Sequence, residues 1–120
     1  MPRLKMTGPF DFDEETINNT VDENSIGNYA LGYKNDEGTF VVCYVGRATD
    51  QPLRERLKQH LGEHFKTFKM FKYSYAGSKI EAYLKECNNY HDFGGKEHLY
   101  NEYHPAKLED DDTPCPVCGE

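Results

Sequence analysis

Two β-rich runs separated by a short turn are the feature that most constrains how this 120-residue chain can fold. The first run covers residues 29–33, and the second, more apolar run covers residues 39–45. The turn cluster at residues 34–38 lies between them and contains a glycine. β-branched and aromatic runs that flank such a turn predict a β-hairpin, which ends here at Gly46.

A helix is predicted directly after the hairpin, because large apolar side chains recur there at every fourth position. These positions are Leu53, Leu57, Leu61 and Phe65. This is the spacing of one buried stripe on an amphipathic helix. Asp50 precedes the stripe and is a residue type that caps helices.

A third strand and a second helix complete the predicted fold. Residues 68–76 are aromatic and alternating, as in a strand. Ser78 and Glu81 have the spacing of a capping box at the start of a helix that extends to about Asp92. We expect this helix to bury Ile80, Leu84 and Cys87. The order hairpin, helix, strand, helix predicts a small α/β sandwich with a three-stranded, mainly antiparallel sheet flanked by helices.

The charge distribution divides the chain into three parts. Residues 1–26 contain six acidic and two basic residues, and we expect a loosely held extension there. Residues 108–120 contain five acidic and no basic residues and predict a mobile tail. The net charge of −7 therefore arises from the ends, and residues 27–107, the predicted domain, carry +2. Residues 47–79 alone carry +5, which is compatible with binding of phosphates.

Neither a membrane span nor a secretory signal is predicted. No apolar run approaches the length that crosses a bilayer, and no hydrophobic segment follows the first basic residues. We therefore expect a cytoplasmic protein without membrane association.

Five polar or aromatic side chains are candidates for chemistry, and each has a plainer interpretation. Hairpin pairing brings Tyr29 near Tyr44, although both can be ordinary strand tyrosines. Arg56 and His60 share one helix face, where they can bind phosphate and move a proton, or simply form a solvated surface. Glu86 offers the hard oxygen ligand that Mg²⁺ prefers, or is an exposed helical glutamate.

The ordered set of motifs resembles the GIY-YIG nuclease family, which includes the N-terminal nuclease domain of the bacterial excision-repair endonuclease. The resemblance covers roughly residues 27–105. Its motifs are Gly27-Asn28-Tyr29, Tyr44-Val45-Gly46, the Leu-x-x-Arg-x-x-x-His pattern from Leu53 to His60, the Glu-Ala-x-x-x-Glu pattern from Glu81 to Glu86, and Asn101. Asn28 departs from the isoleucine of the family, and an asparagine in a strand needs a polar partner or water.

This resemblance implies metal-dependent hydrolysis of a phosphodiester bond in DNA or another structured nucleic acid, as in repair or recombination. The implied catalytic residues are Tyr29, Tyr44, Arg56, His60 and Glu86, with Gly46, Arg47 and Asn101 binding substrate and Mg²⁺ or Mn²⁺ bound by Glu86. Arg56 is preferred to the neighbouring Arg54. Tyr29 is favoured as general base and requires a pKa lowered from about 10, and His60 is the alternative.

The cysteines do not predict disulfide bonds in a cytoplasmic chain. Cys43 and Cys87 are typical of small core residues. The segment Cys115-Pro116-Val117-Cys118-Gly119 resembles a zinc knuckle of rubredoxin type, but it supplies only two of the four ligands of a structural zinc. A second chain, or histidines such as His91 or His104, can supply the others; alternatively the tail binds no metal.

Two functions from different classes follow. The first is an endonuclease, and the second is a non-catalytic adaptor that binds nucleic acid or protein and docks through a zinc-binding tail. A domain of this size usually lacks its own specificity module, so we expect a homodimer or a partner that supplies specificity.

Overall fold

The computed structural model describes residues 4–64, 68–101, 104–108 and 113–119. Its elements in chain order are β1 (Thr7–Asp11), α1 (Glu14–Thr20), β2 (Gly27–Lys34), β3 (Phe40–Ala48), α2 (Leu53–His64), β4 (Met70–Tyr75) and α3 (Lys79–Asp92), followed by a 3₁₀ turn at Gly95–Glu97. The chain thus forms the predicted class of small α/β domain, with helices covering a sheet.

The sheet has four strands in the order β1-β4-β2-β3, and every neighbouring pair is antiparallel. The prediction of three strands was wrong by one, because β1 pairs with β4 at the edge opposite the hairpin. β3 is the other edge strand, and β2 lies between β3 and β4.

The N-terminal segment is an integral part of this fold, so the expectation of a loosely held extension was wrong for residues 4–26. Phe12, Ile17 and Val21 are buried in the same apolar cluster as β2 and α2. The carboxylate of Asp13 caps α1 by accepting a hydrogen bond from the Thr16 amide at 2.8 Å, which lowers the pKa of Asp13. Because this segment is acidic, the sequence did not identify these three residues, which are spaced four to five positions apart, as part of the core.

Helices cover both faces of the sheet, and strand alternation distributes the side chains between them. On β2, Tyr29 and Leu31 belong to the cluster that contacts α1 and α2, whereas Ala30 belongs to a second cluster that includes Tyr90 of α3. Asn28 points to the α3 face as well, where its amide donates to the Ala82 carbonyl at 2.9 Å. The side-chain nitrogen of Asn28 thus has a polar partner, whereas its buried Oδ1 has no hydrogen-bond partner among the described residues.

Regular pairing in the hairpin sets the orientation of Tyr44. Tyr29 pairs with Gly46 and Leu31 pairs with Tyr44, so the two tyrosines lie on one face of the sheet, which α2 covers. The register shifts only after Leu31, where Gly32 pairs with Val42 and Cys43 is an extra residue in β3.

The two long helices bury faces that the sequence predicts unequally well. In α2, Leu53 and Leu57 are buried and Leu61 is partly buried, as expected, whereas Phe65 lies outside the described residues. In α3, Ser78 caps the helix as predicted, but Ile80 is 38% exposed. The expectation for Ile80 was wrong because the buried stripe of α3 consists of Tyr83, Glu86, Cys87 and Tyr90.

Among the helices that the structure describes, none is long and apolar enough to cross a membrane.

Truncation of Ile17 tests whether α1 belongs to the folded core. Its side chain is fully buried, so Ile17→Ala is expected to lower the free energy of unfolding by about 2–5 kcal/mol, measured by urea denaturation. Asn19→Ala, at an exposed position of the same helix, is the matched control and should change stability by less than about 0.5 kcal/mol. Equal stabilities of the two variants would contradict this packing.

Candidate active site

A cavity of about 330 Å³ lies at the end of the edge strand β3. It collects side chains from the hairpin, from α2 and from α3, which are far apart in sequence. Its principal lining residues are Tyr29, Tyr44, Gly46, Arg47, Arg56 and Glu86. Residues 48–51 and Ala106 close its remaining sides. Most of the residues that the motifs singled out therefore face one space.

Two phenols and an imidazole form a compact group on the α2 side of the cavity. The Tyr29 hydroxyl lies 2.6 Å from Nε2 of His60, and both side chains are almost entirely buried. The Tyr29 and Tyr44 rings are nearly parallel with centroids 6.3 Å apart, as the hairpin pairing predicted. His60 itself does not line the cavity, so it contacts this space through the hydroxyl of Tyr29.

Two glycines of the motifs are required by close packing against their neighbours. Gly46 pairs with Tyr29 across the hairpin, and a β-carbon at Gly46 would overlap Cζ and the hydroxyl of that ring. A β-carbon at Gly27 would likewise overlap the backbone carbonyl of Ser74 on β4. These positions accept only glycine because another group already occupies the space of a side chain.

Burial raises the pKa of Tyr29 well above its usual value, and the neighbouring Tyr44 and Glu86 act in the same direction. The positive charge of Arg56 acts in the opposite direction but does not compensate for the burial. The lowered pKa that a standing tyrosinate base requires is thus not found. Tyr29 is a neutral phenol near pH 7.

Glu86 is the acidic side chain that α3 contributes to the cavity. Nη1 of Arg47 donates a hydrogen bond to Oε1 of Glu86 at 2.5 Å, and the Arg47 guanidinium lies over the ring of Tyr83. Burial raises the pKa of the Glu86 carboxyl, although the charge of Arg47 opposes this shift. Arg47 therefore forms an ion pair with Glu86 and balances the charge of its carboxylate.

The structure separates the roles of the two neighbouring arginines of α2. Arg56 lines the cavity and donates a hydrogen bond to the Gln59 side chain at 3.0 Å. Arg54 points away and donates to the backbone carbonyls of Val21 and Asn18 at 2.7 and 2.8 Å. Arg54 thus links the end of α1 to α2, whereas Arg56 is the arginine of α2 that lines the cavity.

Asn101 does not line the cavity, and its contact with substrate stays a prediction. Its amide donates to the Val45 carbonyl at 2.7 Å and accepts from the Val45 amide at 3.1 Å. The neighbouring Tyr100 amide donates to the Cys43 carbonyl. Residues 100–101 thus cover the edge of β3, and Asn101 supports the strand that carries Tyr44 and Gly46.

The loop after β3 contributes cavity residues that the sequence did not indicate. Thr49, Asp50 and Gln51 line the cavity, although we had expected Asp50 to cap α2. Ala106 lines it from the C-terminal segment. No local pattern distinguishes such positions, because their proximity to the site depends on contacts that are distant in sequence.

A second polar cluster lies behind α3. It consists of His91, His104, Cys115 and Cys118, whose potential ligand atoms all lie within 4.8 Å of one another. Nε2 of His104 is 3.2 Å from Nε2 of His91 and 3.4 Å from Sγ of Cys118. This His₂Cys₂ cluster can hold a metal ion such as zinc.

The cysteines of the chain differ sharply in environment. Cys43 and Cys87 are buried in apolar clusters, as predicted, and burial raises the pKa of both thiols. Burial acts on Cys115 in the same direction, but hydrogen bonds from the backbone of Cys118 and Val117 and from the side chains of His104 and Cys87 together outweigh it and lower its pKa to about 6. A lowered pKa favours the thiolate, the form that binds metals.

No family model, no curated protein and no solved structure matches this chain. What the site does must therefore be argued from its own residues and motifs.

Replacement of Gly46 tests the close packing of Tyr29. Gly46→Ala forces the ring out of its position, so we expect a loss of about 1–3 kcal/mol in the free energy of unfolding. Gly62→Ala is the matched control, because no atom lies within 4 Å of a β-carbon there and alanine favours a helix by about 1 kcal/mol. Loss of stability only in the Gly62 variant would contradict the packing argument.

The cost of burying the Glu86 charge is also measurable. The raised pKa means that the folded state disfavours the carboxylate, so Glu86→Gln is expected to keep or raise the Tm at about pH 7.5 in EDTA. Wild-type stability should increase as the pH falls toward the raised pKa, because the folded state then binds more protons than the unfolded chain. The difference between the two proteins should therefore shrink by about pH 5.

Thermal unfolding across this pH range provides the measurement, with the exposed Glu55→Gln as the matched control. A Glu86→Gln variant that melts several degrees below the wild type at neutral pH would indicate that the pairing with Arg47 outweighs burial.

Proposed function

We propose that this chain is a GIY-YIG-type endonuclease that hydrolyses a phosphodiester bond in DNA or another structured nucleic acid and depends on a divalent metal ion. The observation that carries this proposal is that Glu86 of α3 faces the same cavity as Tyr29, Tyr44 and Arg56. Motif residues that are scattered along the sequence meet in the combination that phosphodiester hydrolysis needs: a carboxylate, a guanidinium and phenols.

The donor atoms of the cavity fit Mg²⁺ or Mn²⁺. Glu86 supplies a hard oxygen, and Asp50 lines the same space. Mg²⁺ uses one or two carboxylates and completes its octahedron with waters and substrate phosphate, so the carboxylate of Glu86 is sufficient. When bound, such an ion polarises the phosphate and stabilises the leaving oxygen.

Tyr29 and His60 move the proton of the attacking water. The raised pKa of Tyr29 disfavours a standing tyrosinate, and the hydrogen bond between the Tyr29 hydroxyl and Nε2 of His60 offers another route. The phenol oxygen accepts a proton from water while the phenol proton passes to His60. The water oxygen then bonds to phosphorus, the bond to the leaving oxygen breaks, and Tyr44 orients the water.

Arginine side chains stabilise the charge of the reacting phosphate. Arg56 faces the cavity and neutralises the non-bridging oxygens as their charge increases in the transition state. Arg47 is paired with Glu86 in the free protein, and its guanidinium would be available to a substrate phosphate where Glu86 holds the ion instead. Gly46 leaves room for the Tyr29 ring, whose hydroxyl reaches the cavity.

Cleavage assays with Mg²⁺ or Mn²⁺ test this function on branched, single-stranded and duplex DNA and on structured RNA. We expect metal-dependent cleavage that falls below detection in Glu86→Ala and is lowered about 10²–10³-fold in kcat by Arg56→Ala. Lys58→Ala, two positions from Arg56 on α2, is the matched control and should retain kcat within about threefold because Lys58 does not line the cavity. Absence of cleavage of every substrate, or full activity of Glu86→Ala, would contradict the proposal.

The pairing of Glu86 with Arg47 supports one alternative, a non-catalytic adaptor of the same fold. In an adaptor the carboxylate serves only to hold Arg47 in place, and no metal replaces it. Nucleic-acid binding that persists in EDTA and in Glu86→Gln, without turnover, distinguishes the adaptor from the enzyme. A homodimer or a partner that supplies specificity is compatible with either function.

A further inference from the structure

The cluster behind α3 takes no part in the proposed hydrolysis, yet it brings four metal-binding side chains together within one chain. His91 lies in the last turn of α3, whereas His104, Cys115 and Cys118 come from the segment that follows. We propose that these four residues bind one zinc ion, and that this ion fastens the C-terminal segment to α3 and so completes one wall of the cavity.

Two of the ligand separations are close to those of a tetrahedral zinc site, and all of them are within 4.8 Å. Bond lengths of about 2.0–2.1 Å for nitrogen and about 2.3 Å for sulfur imply ligand separations of roughly 3.3–3.8 Å. The observed separation is 3.2 Å between the two imidazole nitrogens and 3.4 Å between Sγ of Cys118 and Nε2 of His104. A set of two histidines and two cysteines is a common donor set for structural zinc.

The ring of His104 is oriented as in a metal ligand. Nδ1 lies 2.9 Å from the Pro105 carbonyl, which can only accept, so Nδ1 is the donor of that hydrogen bond. The opposite nitrogen, Nε2, faces His91 and Cys118. Donation from the outer ring nitrogen to a backbone carbonyl is the usual way in which proteins orient histidine ligands of zinc.

The turn that carries Cys115 and Cys118 has a defined conformation. The Gly119 amide donates to the Cys115 carbonyl at 2.9 Å, and Gly119 has a φ of +79°, which favours glycine. Cys115 is buried against Tyr83 and Cys87 of α3. The turn is therefore seated on the helix, and no second chain is needed to complete the ligand set.

Two short sets of neighbouring residues connect the four metal-binding side chains to the cavity. Ala106, which lines the cavity, is two residues from His104. Tyr83 contacts both Cys115 and the guanidinium of Arg47, which holds Glu86. Within residues 104–108 and 113–119 the structure assigns no helix or strand, so the ion replaces secondary structure as the element that holds this segment.

Metal content and stability of the full chain test the site without any measurement of cleavage. Purified protein, stripped with EDTA under reducing conditions, should bind one equivalent of Zn²⁺ with a Kd below about 1 µM and show an increase in Tm of about 5–15 °C. Amide hydrogen exchange should slow in α3 and in residues 104–108. Co²⁺ in place of Zn²⁺ should give the absorption of a tetrahedral site with thiolate ligands.

Variants separate loss of the ion from loss of the fold. Cys118→Ser and His104→Ala should lose tight Zn²⁺ binding, and their Tm should equal that of the EDTA-treated wild type. Cys43→Ala and the exposed His98→Ala are matched controls outside the cluster and should still bind one equivalent. Retention of Zn²⁺ by a Cys115→Ser/Cys118→Ser double variant would overturn the assignment, and so would a doubling of mass on addition of Zn²⁺ in light scattering.

The consequence for catalysis rests on the proposed function, whereas zinc binding does not. If cleavage occurs, removal of Zn²⁺ should lower kcat while Mg²⁺ is held constant. If no cleavage occurs but one zinc binds as described, the nuclease proposal fails and the zinc site stands.

Discussion

The close approach of the Tyr29 ring to the backbone of Gly46 is the constraint on which the rest of the site depends. Because glycine lacks a side chain, the ring extends across the hairpin toward the edge of the sheet, where its hydroxyl meets both His60 and the cavity. A larger residue at position 46 would fill that space and close the route between the buried imidazole and solvent. Tyr29 of the first motif and Gly46 of the second therefore require each other, which explains why neither motif is informative alone.

The position of the cavity at an edge strand explains how residues from both faces of the sheet share it. Arg56 approaches from α2 and Glu86 from α3, and the edge of β3 is the place where the two layers meet. Asn101 covers the part of this edge beside Val45, and residues 46–48, which follow on β3, border the cavity.

The parts of the structure that follow local rules could be predicted, and those that depend on distant contacts could not. The hairpin, α2 and the Ser78 cap are determined by neighbouring residues, and all were predicted within a few positions. β1 was missed because a short strand gains its stability from pairing with β4, which is some sixty residues away. The stripe of leucines identified the face of α2, but the pairing of Arg47 with Glu86 across 39 positions left no local signal. Motif order indicated which residues meet, whereas the burial that raises the pKa of Tyr29 depends on the completed core.

The pair formed by Arg47 and Glu86 shows how the fold compensates a buried carboxylate. Without a partner, the charge of Glu86 would be costly in this setting, and the raised pKa shows that Arg47 offsets only part of that cost. Under the proposed function, Glu86 would hold a divalent cation, which carries more charge than a guanidinium and attracts a carboxylate more strongly at the same separation. A substrate phosphate would then balance the charge of the ion and that of Arg47 together.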